Sequence, residues 1–599
     1  VMDHLPHSIC KTSAGLMPAL VFLRRTVGGR GVCVAQTCTD ARSACKAAHV
    51  GTTRPTPQSK RLRRCAFLTC AVVQPSTLRS QAALGSGFSL QAAFWYQNAI
   101  FHITDGTGHI SNYVSSDFGN VDIAPMTRRL SLSYAKVSVI HNTKENFMPV
   151  FEGSAVYTAD EDDIQVALGL DNIDAKSAIP AGLMKAGNNV SVPIKYNGDF
   201  LIGPEGAHMN ISGISGLATK TSYVMFLLKA IQHKCKDDVA IIVMNVKGDD
   251  LLHVHQPNEK ITDAQRKDWD DLGVPCTPFE NVKYLYPYRQ QKDKLYANTA
   301  LPVEDLAEQF NGGQAANFIY TFEHDISKVD MLFSNVDDPN YTIESILNYI
   351  DYGSEFKGDL SWANFKEVLK EFCSKGSDKK DKSSILIQSW QRFRRLINNS
   401  INDDIFVNAK SSKKEQHQVY LSDEIMNING GEMKVVDIAG LTEQLQCLVF
   451  GDIIRSVYSL KHGDFEDERT SKKPIPKRII IFVDELNKYA PSTSSKNSPL
   501  LANLLDITER GRSEGVILFS AEQFRSAIHD RIKGNCGTNI YGRTNAIEVS
   551  RPDYKFVPSV YANMMTRLRK GDLIVHHPVF KTLLKIQFPF PSYNQGGSK

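Results

Sequence analysis

The feature of this sequence that most constrains its fold is an apolar run that ends in two acids. The run Arg478-Ile-Ile-Ile-Phe-Val483 is followed directly by Asp484 and Glu485. A strand that is apolar on both faces belongs inside a parallel sheet, and its carboxyl end opens onto a ligand crevice. An ordinary buried strand capped by acids at the next helix start would share the pattern. The run predicts an α/β fold with a mainly parallel sheet and two carboxylates at its ligand-binding edge.

A glycine-containing stretch far upstream has the parts of a phosphate-binding loop. The stretch Gly213-Ile-Ser-Gly216-Leu-Ala-Thr219-Lys220-Thr221-Ser222 lies between a predicted strand and a predicted helix over 222–233. Glycines let backbone N–H groups point at phosphate, a Lys reaches the β- and γ-phosphates, and a hydroxyl binds Mg²⁺.

The spacing in this loop is irregular. The usual pattern G-x-x-x-x-G-K-[ST] has a shorter step from first glycine to Lys than Gly213 to Lys220, and Thr219 replaces the usual second glycine. On the loop alone, a turn before a core helix is an equally good interpretation. The loop and the acidic strand together favour a P-loop NTPase that binds ATP and Mg²⁺.

The two acids and the loop suggest separate roles in nucleotide chemistry. Asp484 would bind Mg²⁺ together with a loop hydroxyl, and Glu485 would polarise the attacking water as a general base. Both carboxylates follow one strand directly, so the sequence places them beside the phosphates.

Further polar residues follow later strands and helices. Gln523 comes after the predicted strand 516–520 and would sense the γ-phosphate. Arg510 and Arg512 could reach the γ-phosphate of a neighbouring subunit, and Arg543 is a further candidate. For each arginine, a surface salt bridge is the alternative.

The texture of the sequence divides the chain into six segments. Short alternating runs indicate strands at 93–96, 100–104, 135–140, 150–151, 155–158, 165–168 and 190–195. The later core strands are predicted at 208–212, 239–246, 433–438, 478–483, 516–520, 538–543, 573–576 and 583–588, with a helix at 441–460. The predicted segments are an unassigned basic head (1–91), a small β-barrel (92–198), the first part of a RecA-like core (199–299), a helical insertion (300–430), the second part of the core (431–590) and a tail (591–599).

The net charge of +4 is distributed unevenly along the chain. Residues 1–90 contain 12 Lys and Arg against Asp3 and Asp40, a net charge of +10, so the remainder carries −6. A transit peptide, a nucleic-acid-binding arm, or a segment that is no domain at all would each fit this head, and we expect the last. The head also holds six of the eleven cysteines without a CxxC pair, and the other five are scattered singly, which indicates reduced intracellular thiols and a cytoplasmic protein.

Several blocks, in this order, resemble the HerA family of hexameric DNA translocases, within the HerA/FtsK group of P-loop ATPases. The resemblance covers roughly residues 200–590, with 300–430 matched only by helical character. The strand that continues into Tyr489-Ala-Pro491 is the most specific part, and 92–200 fits the small β-barrel that precedes the core in such proteins. The matching blocks are 208–221, Ile241-Ile-Val-Met-Asn-Val-Lys247-Gly248, Val436-Asp-Ile-Ala-Gly440, Ile480-Ile-Phe-Val-Asp-Glu-Leu-Asn-Lys-Tyr-Ala-Pro491, Glu509-Arg-Gly-Arg-Ser-Glu-Gly515, Ser520-Ala-Glu-Gln523 and Gly571-Asp-Leu-Ile-Val-His-His-Pro578.

The resemblance implies an ATPase that forms a ring, usually of six subunits, and moves along double-stranded DNA with a separate nuclease or effector. By position it assigns Lys220 and Thr221 to phosphate and Mg²⁺, with Ser222 as the alternative if the loop registers one residue later. It assigns Arg510 or Arg512 to the neighbouring subunit's site. The expected setting is DNA end processing or antiviral defence, without a membrane, because no apolar run is long enough to span one.

A second interpretation remains open. An ATP-binding ring could act as a scaffold that assembles and regulates a partner effector with little translocation. The irregular loop and the charge of −6 outside the head favour this alternative. A motor needs positive charge only along its pore. Candidate basic loops exist at 410–414 and 472–478, but each is more typical of a solvated surface than of a DNA contact.

Overall fold

The computed structural model describes residues 157–596 apart from gaps at 186–190, 215–218, 339, 359, 375–383, 464–469 and 494–497, together with four earlier strands. The strands are β1 (Ala19–Arg24), β2 (Ala93–Tyr96), β3 (Ala99–Ser111), β4 (Ser131–Asn142), β5 (Tyr157–Thr158), β6 (Ala178–Lys185), β7 (Ser191–Asn197), β8 (Met209–Ser212), β9 (Val239–Asn245), β10 (Val282–Pro287), β11 (Ala315–Ile319), β12 (Gln418–Tyr420), β13 (Met433–Asp437), β14 (Arg478–Asp484), β15 (Val516–Glu522), β16 (Thr538–Tyr541), β17 (Asp572–His576) and β18 (Leu584–Gln587).

Helices connect most of these strands. The α-helices are α1 (Glu161–Leu168), α2 (Gly198–Leu201), α3 (Thr219–Cys235), α4 (Asp263–Asp271), α5 (Val303–Asn311), α6 (Phe322–Asp325), α7 (Thr342–Tyr352), α8 (Trp362–Phe372), α9 (Ile387–Ser400), α10 (Leu421–Met426), α11 (Glu443–His462), α12 (Pro499–Asp506), α13 (Arg512–Glu514), α14 (Asp530–Asn535), α15 (Ala546–Val549) and α16 (Ser559–Met565). A π-helical turn, Ile507–Gly511, joins α12 to α13.

Within the described residues, the main body is a sheet of 13 strands in the order β12-β11-β10-β13-β9-β14-β15-β8-β16-β17-β18-β6-β7. Pairing is parallel from β12 to β16 and antiparallel from there to β7. The predicted α/β fold with a largely parallel sheet is therefore confirmed. Strand β15 alone separates β8 from β14, so the strand before the glycine loop and the strand before the acids end close together at one edge, here called the carboxyl edge.

Both faces of the sheet are covered, which explains why its central strands are apolar throughout. Along β9 and β14, successive residues alternate between two hydrophobic cores. Ile480 and Phe482 join α3 in one core, whereas Ile479 and Ile481 join α11 and the helices of the insertion in the other. A sheet with helices on both faces needs apolar residues at consecutive positions rather than at alternate ones.

A second sheet of five antiparallel strands has the order β1-β4-β3-β2-β5. It contains four strands of the region predicted as a small β-barrel and one strand, β1, that was not predicted in the basic head. The strand predicted at 150–151 lies outside the described residues, as does most of the head. Closure into a barrel stays a prediction.

Three parts of the chain differ from the sequence predictions. Residues 165–168 lie in helix α1 rather than in a strand, because Asp160 forms a capping box with Asp163 that starts a helix there. Strands β6 and β7 extend the large sheet instead of belonging to the barrel region. The predicted helical insertion is mainly helical, but it also contributes β11 and β12, the outermost strands on one side of that sheet.

Candidate nucleotide-binding site

Strand β8 and helix α3 position the start of the predicted phosphate loop. Strand β8 ends at Ser212, and a Cβ on Gly213 would lie 3.1 Å from the carbonyl oxygen of Arg543, so a larger residue would crowd the neighbouring backbone. The N–H of Ile214 donates to that same carbonyl at 2.8 Å. Gly216 lies outside the described residues, which resume at Thr219, the buried first residue of α3.

Lys220 is buried and turned back onto the loop. Its Nζ donates to the carbonyl oxygen of Gly213 at 2.7 Å. Burial lowers the pKa of Lys220, and the negative charge of Asp484 offsets part of that effect. A buried ammonium beside the start of a 17-residue helix is well placed to meet an anion.

Asp484 meets the loop helix at the carboxyl edge. The hydroxyl of Thr221 donates to Oδ2 of Asp484 at 3.3 Å, across 263 positions of sequence. The N–H of Glu485 donates to the other carboxylate oxygen at 2.9 Å. One carboxylate and one hydroxyl suit Mg²⁺, which takes few protein ligands and completes its shell with phosphate and water. Among the described residues, no group of three or more His, Cys, Asp or Glu side chains is arranged to hold a metal ion without such help.

Glu485 is held by two lysines. Its backbone is left-handed, with φ of 59°, and each carboxylate oxygen forms an ion pair, one with Lys247 and one with Lys488. Burial on its own would raise the pKa of Glu485, but the hydrogen bonds and charges of the two lysines hold this pKa below its ordinary value. The carboxylate is therefore ionised at neutral pH and occupied by cations.

A third acid, Glu522, is fully buried at the end of β15. It pairs in register with Ser212, and its carbonyl oxygen accepts the N–H of Gly213 at 3.1 Å. Neither carboxylate oxygen has a hydrogen-bond partner of ordinary geometry among the described residues. Burial raises the pKa of Glu522 well above its ordinary value, although Asn210 and Arg525 lie near enough to counter the effect in part. Burial therefore disfavours the charged form of Glu522 beneath the loop.

Hydrogen bonds from Arg525 and Asn210 link three strands of the sheet below the site. It donates to Oδ1 of Asn210 at 3.1 Å and to Oδ1 of Asn539 at 2.5 Å, linking β8 to β16. Asn210 in turn donates to the hydroxyl of Ser520 in β15 at 3.0 Å. These bonds hold the strand that precedes the loop in a fixed relation to its two neighbours.

Two predicted site residues lie near the carboxyl edge without entering the cluster. Gln523 follows the end of β15, is partly exposed and forms no hydrogen bond with the described residues. Ser222 accepts a hydrogen bond from Gln595 of the tail at 3.0 Å, so Thr221 rather than Ser222 faces Asp484.

The predicted arginines lie in different places. Arg510 and Arg512 are exposed and precede β15, so they lie at the opposite edge of the sheet from Lys220 of the same chain. Arg510 pairs with Asp506 at 3.6 Å, and Arg512 donates to the carbonyl oxygen of Glu205 at 3.3 Å. The exposed Arg543 lies beside the loop, where its backbone meets Ile214.

Sequence reasoning missed the roles of Lys247, Lys488 and Glu522. Lys247 follows the end of β9, the strand next to β14, and a polar residue after a strand end is the signal that could have identified it. Glu522 stands directly before Gln523, and the choice between the two depends on where β15 ends, which the sequence alone leaves open.

Comparison with known proteins gives low-identity structural likenesses. No protein-family model matches the chain, and no curated protein matches it. An unbound form of the bacterial conjugative coupling protein TrwB, lacking its N-terminal segment, is 11% identical, covers 73% of this chain and 95% of its own, and has a TM-score of 0.41.

The similar structures also include a VirB4 protein and a viral packaging NTPase. VirB4 of Thermoanaerobacter pseudethanolicus is 13% identical, covers 69% of this chain and 97% of its own, and has a TM-score of 0.39. The genome packaging NTPase B204 of Sulfolobus turreted icosahedral virus 2, in complex with ATP-gammaS, is 11% identical, covers 28% and 73% respectively, and has a TM-score of 0.21. In the part of the chain that the structure describes, no helix has the length and apolarity needed to cross a membrane.

Proposed function

We propose that this protein is a Mg²⁺-dependent ATPase whose site is formed at the carboxyl edge by Lys220, Thr221, Asp484 and Glu485. The observation that carries the proposal is the contact between Thr221 and Asp484, which brings the loop helix and the acidic strand together. Lys220 would exchange the carbonyl of Gly213 for a phosphate oxygen, a stronger partner for a buried cation.

Mg²⁺ would be held by the hydroxyl of Thr221 and the carboxylate of Asp484, and it would neutralise charge on the phosphates. Asp484 is kept oriented by the N–H of Glu485. Glu485, ionised and next in sequence, would accept a proton from the attacking water once one of its oxygens is released from a lysine. Gln523 would sense the γ-phosphate from the end of β15.

A more specific form of this proposal is that the ATPase is a HerA-type translocase or helicase. In it the chains form a ring, hexameric as the resemblance implies, that moves along double-stranded DNA and works with a separate nuclease or effector. The position of Arg510 and Arg512 supports a ring, because at the edge opposite Lys220 they could serve only a neighbouring chain's site. DNA end processing or antiviral defence would be the setting.

A specific observation favours the second candidate, an ATP-binding ring scaffold with slow hydrolysis. In this structure the two groups most needed for turnover are engaged elsewhere, Lys220 with the loop carbonyl and Glu485 with two lysines. Unless binding of a partner releases Lys220 and Glu485 from these contacts, the protein would bind nucleotide without cleaving it rapidly.

The rate of ATP hydrolysis by the full chain, with and without duplex DNA, distinguishes the two candidates. The translocase proposal expects DNA to raise the rate and Glu485→Gln to abolish it, by about 10²–10⁴-fold for loss of a general base. Lys234→Gln, a change at an exposed lysine of the opposite edge, serves as the control. A rate that DNA leaves flat, with a Glu485→Gln variant that still supports its partner, would favour the scaffold.

A further inference from the structure

A group of cations gathers at the antiparallel end of the large sheet, in a region to which the sequence assigned no role. Four cations line one shallow cavity of about 240 Å³, namely Lys185, Arg569, Lys570 and Lys585. Among the described residues that line it, Asp572 supplies the single carboxylate. This group is here called the basic pocket. The rest of the chain outside the head is acidic on balance, so the concentration of positive charge is local.

The sheet register explains why these side chains meet. Gln587 of β18 pairs with Leu183 of β6, so the antiparallel arrangement places Lys185 beside Lys585. Like charges on neighbouring strands repel each other, and a nearby anion relieves that repulsion. Asp572 supplies one such anion, at 2.9 Å from Nζ of Lys585.

The remaining three cations have little to neutralise them. Lys185, Arg569 and Lys570 are exposed and form no ion pair with any described residue. Asp268 is a further acid near the pocket. Burial raises the pKa of Asp268, and the positive charge of the nearby Lys185 lowers this pKa in part. The pocket thus presents a surplus of positive charge on long, exposed side chains.

The basic pocket lies at the same edge of the large sheet as the nucleotide site, the carboxyl edge. Strand β17 begins at Asp572 beside the end of β16, because Tyr541 pairs with Ile574, and β16 runs parallel to β8. The turn that carries Arg569 and Lys570 is therefore at the carboxyl edge. Three strand spacings separate β8 from β18, which amounts to about 15 Å.

We propose that the basic pocket is a contact surface for the phosphate backbone of duplex DNA. An open cavity lined by exposed cations, without an enclosed polar side chain to orient a small molecule, suits a polyanion held by charge rather than a compact ligand. The pocket lies at the same edge of the sheet as the nucleotide site, three strands away from the loop strand β8. This inference rests on the proposed function and assigns the DNA contact to named residues.

The test is the salt dependence of DNA binding by the full chain. Binding of a fluorescently labelled 30-base-pair duplex is measured by anisotropy from about 50 to 200 mM salt. Over this range, the fall of log K with log salt concentration reports the number of phosphate contacts. The variant combines Lys185→Gln, Arg569→Gln and Lys570→Gln and leaves the ion pair of Lys585 with Asp572 intact. The matched control combines Lys234→Gln, Lys236→Gln and Lys581→Gln, three exposed lysines at the opposite edge of the sheet and outside the two basic loops.

Three lost phosphate contacts should reduce the slope of log K against log salt by about 2.7, since each contributes about 0.9. Over that salt range the wild-type affinity would then fall about 40-fold more than the affinity of the pocket variant. The control should keep the wild-type slope. Unchanged melting temperatures establish that both variants are folded.

Two outcomes overturn the assignment. A pocket variant with the wild-type slope, while the wild type binds DNA, removes the pocket from the contact surface and leaves the rest of the proposed function standing. A control variant whose salt slope falls as much as that of the pocket variant would show that the chain attracts DNA through its overall positive charge and not through the pocket. If the wild-type chain binds no duplex at any salt concentration, both the pocket and the translocase proposal fail, whereas the ATPase proposal is judged separately by hydrolysis.

Discussion

Replacing Lys247 by Met should accelerate ATP hydrolysis in the absence of DNA. In the structure, one oxygen of Glu485 is paired with Lys247 and the other with Lys488, so neither is free to accept a proton from water. Lys247→Met frees one oxygen and keeps the volume and the aliphatic packing of the side chain. Lys488 remains to orient the carboxylate.

The size of the effect follows from the exposure of the pair. A hydrogen bond between charged groups contributes about 1.5–3 kcal/mol. The side chain of Lys247 is 51% exposed, so solvent screening reduces this to about 1 kcal/mol. If release of that contact is part of the barrier, its removal raises kcat about 5-fold.

The assay is steady-state hydrolysis at saturating ATP, with and without duplex DNA. We expect Lys247→Met to have a higher rate without DNA and a smaller stimulation by it. Lys234→Met, a similarly sized change at an exposed lysine of the opposite edge, should match the wild type. A fall in kcat would refute the reasoning, because it would mean that Lys247 assists the reaction instead of restraining the base. An unchanged rate would refute it too, since the ion pair would then be no part of the barrier.

Three other predictions concern stability and assembly. Glu522→Gln should stabilise the protein more at about pH 7 than at about pH 4. Burial raises the pKa of Glu522 in the folded state, so ionisation in the unfolded chain lowers the stability of the wild type, but not of the variant, as pH rises. Urea unfolding at the two pH values checks this, and a stability difference that shrinks with rising pH contradicts it. Gly430→Ala should lower the free energy of unfolding by more than about 2 kcal/mol, because the added Cβ would lie 1.7 Å from the carbonyl oxygen of Asp237. The control Gly534→Ala should be nearly neutral, because its Cβ would meet nothing within 4 Å. Equal melting temperatures for the two variants would count against the close approach of Gly430 to Asp237. Deletion of residues 1–90 should leave hydrolysis and ring assembly intact, as judged by rate and by mass in solution, and loss of either would assign the head to the ATPase.

Much of the central sheet could be predicted from the sequence, because its strands are apolar on both faces and end in polar residues. The run before Asp484 forms β14 to within one residue of the prediction, and the strand and helix on either side of the glycine loop form β8 and α3. The outer strands were harder to assign. Strands β6 and β7 look like any short antiparallel hairpin, and only long-range pairing with β18 places them in the large sheet.

The candidate site was predicted in part. Spacing and residue type identified Lys220, Thr221 and the two acids, and the structure brings these four together. The lysines around Glu485 could not be predicted in the same way, since one follows a different strand and the pairing depends on the left-handed backbone of Glu485 itself. Nor could a single sequence locate Arg510 and Arg512 relative to another chain.

The central claim, that the carboxyl edge binds Mg²⁺–nucleotide through Lys220, is tested most directly by binding of a fluorescent, non-hydrolysable ATP analogue. Helix α3 offers a matched control in Lys229, which is also buried and also donates from Nζ to a backbone carbonyl, that of Pro278, at 2.7 Å, but lies away from the site. Loss of a desolvated contact between Lys220 and phosphate, about 3 kcal/mol, predicts that Lys220→Met weakens binding by more than about 100-fold while Lys229→Met stays close to the wild type. Equal affinities for the two folded variants would contradict the account.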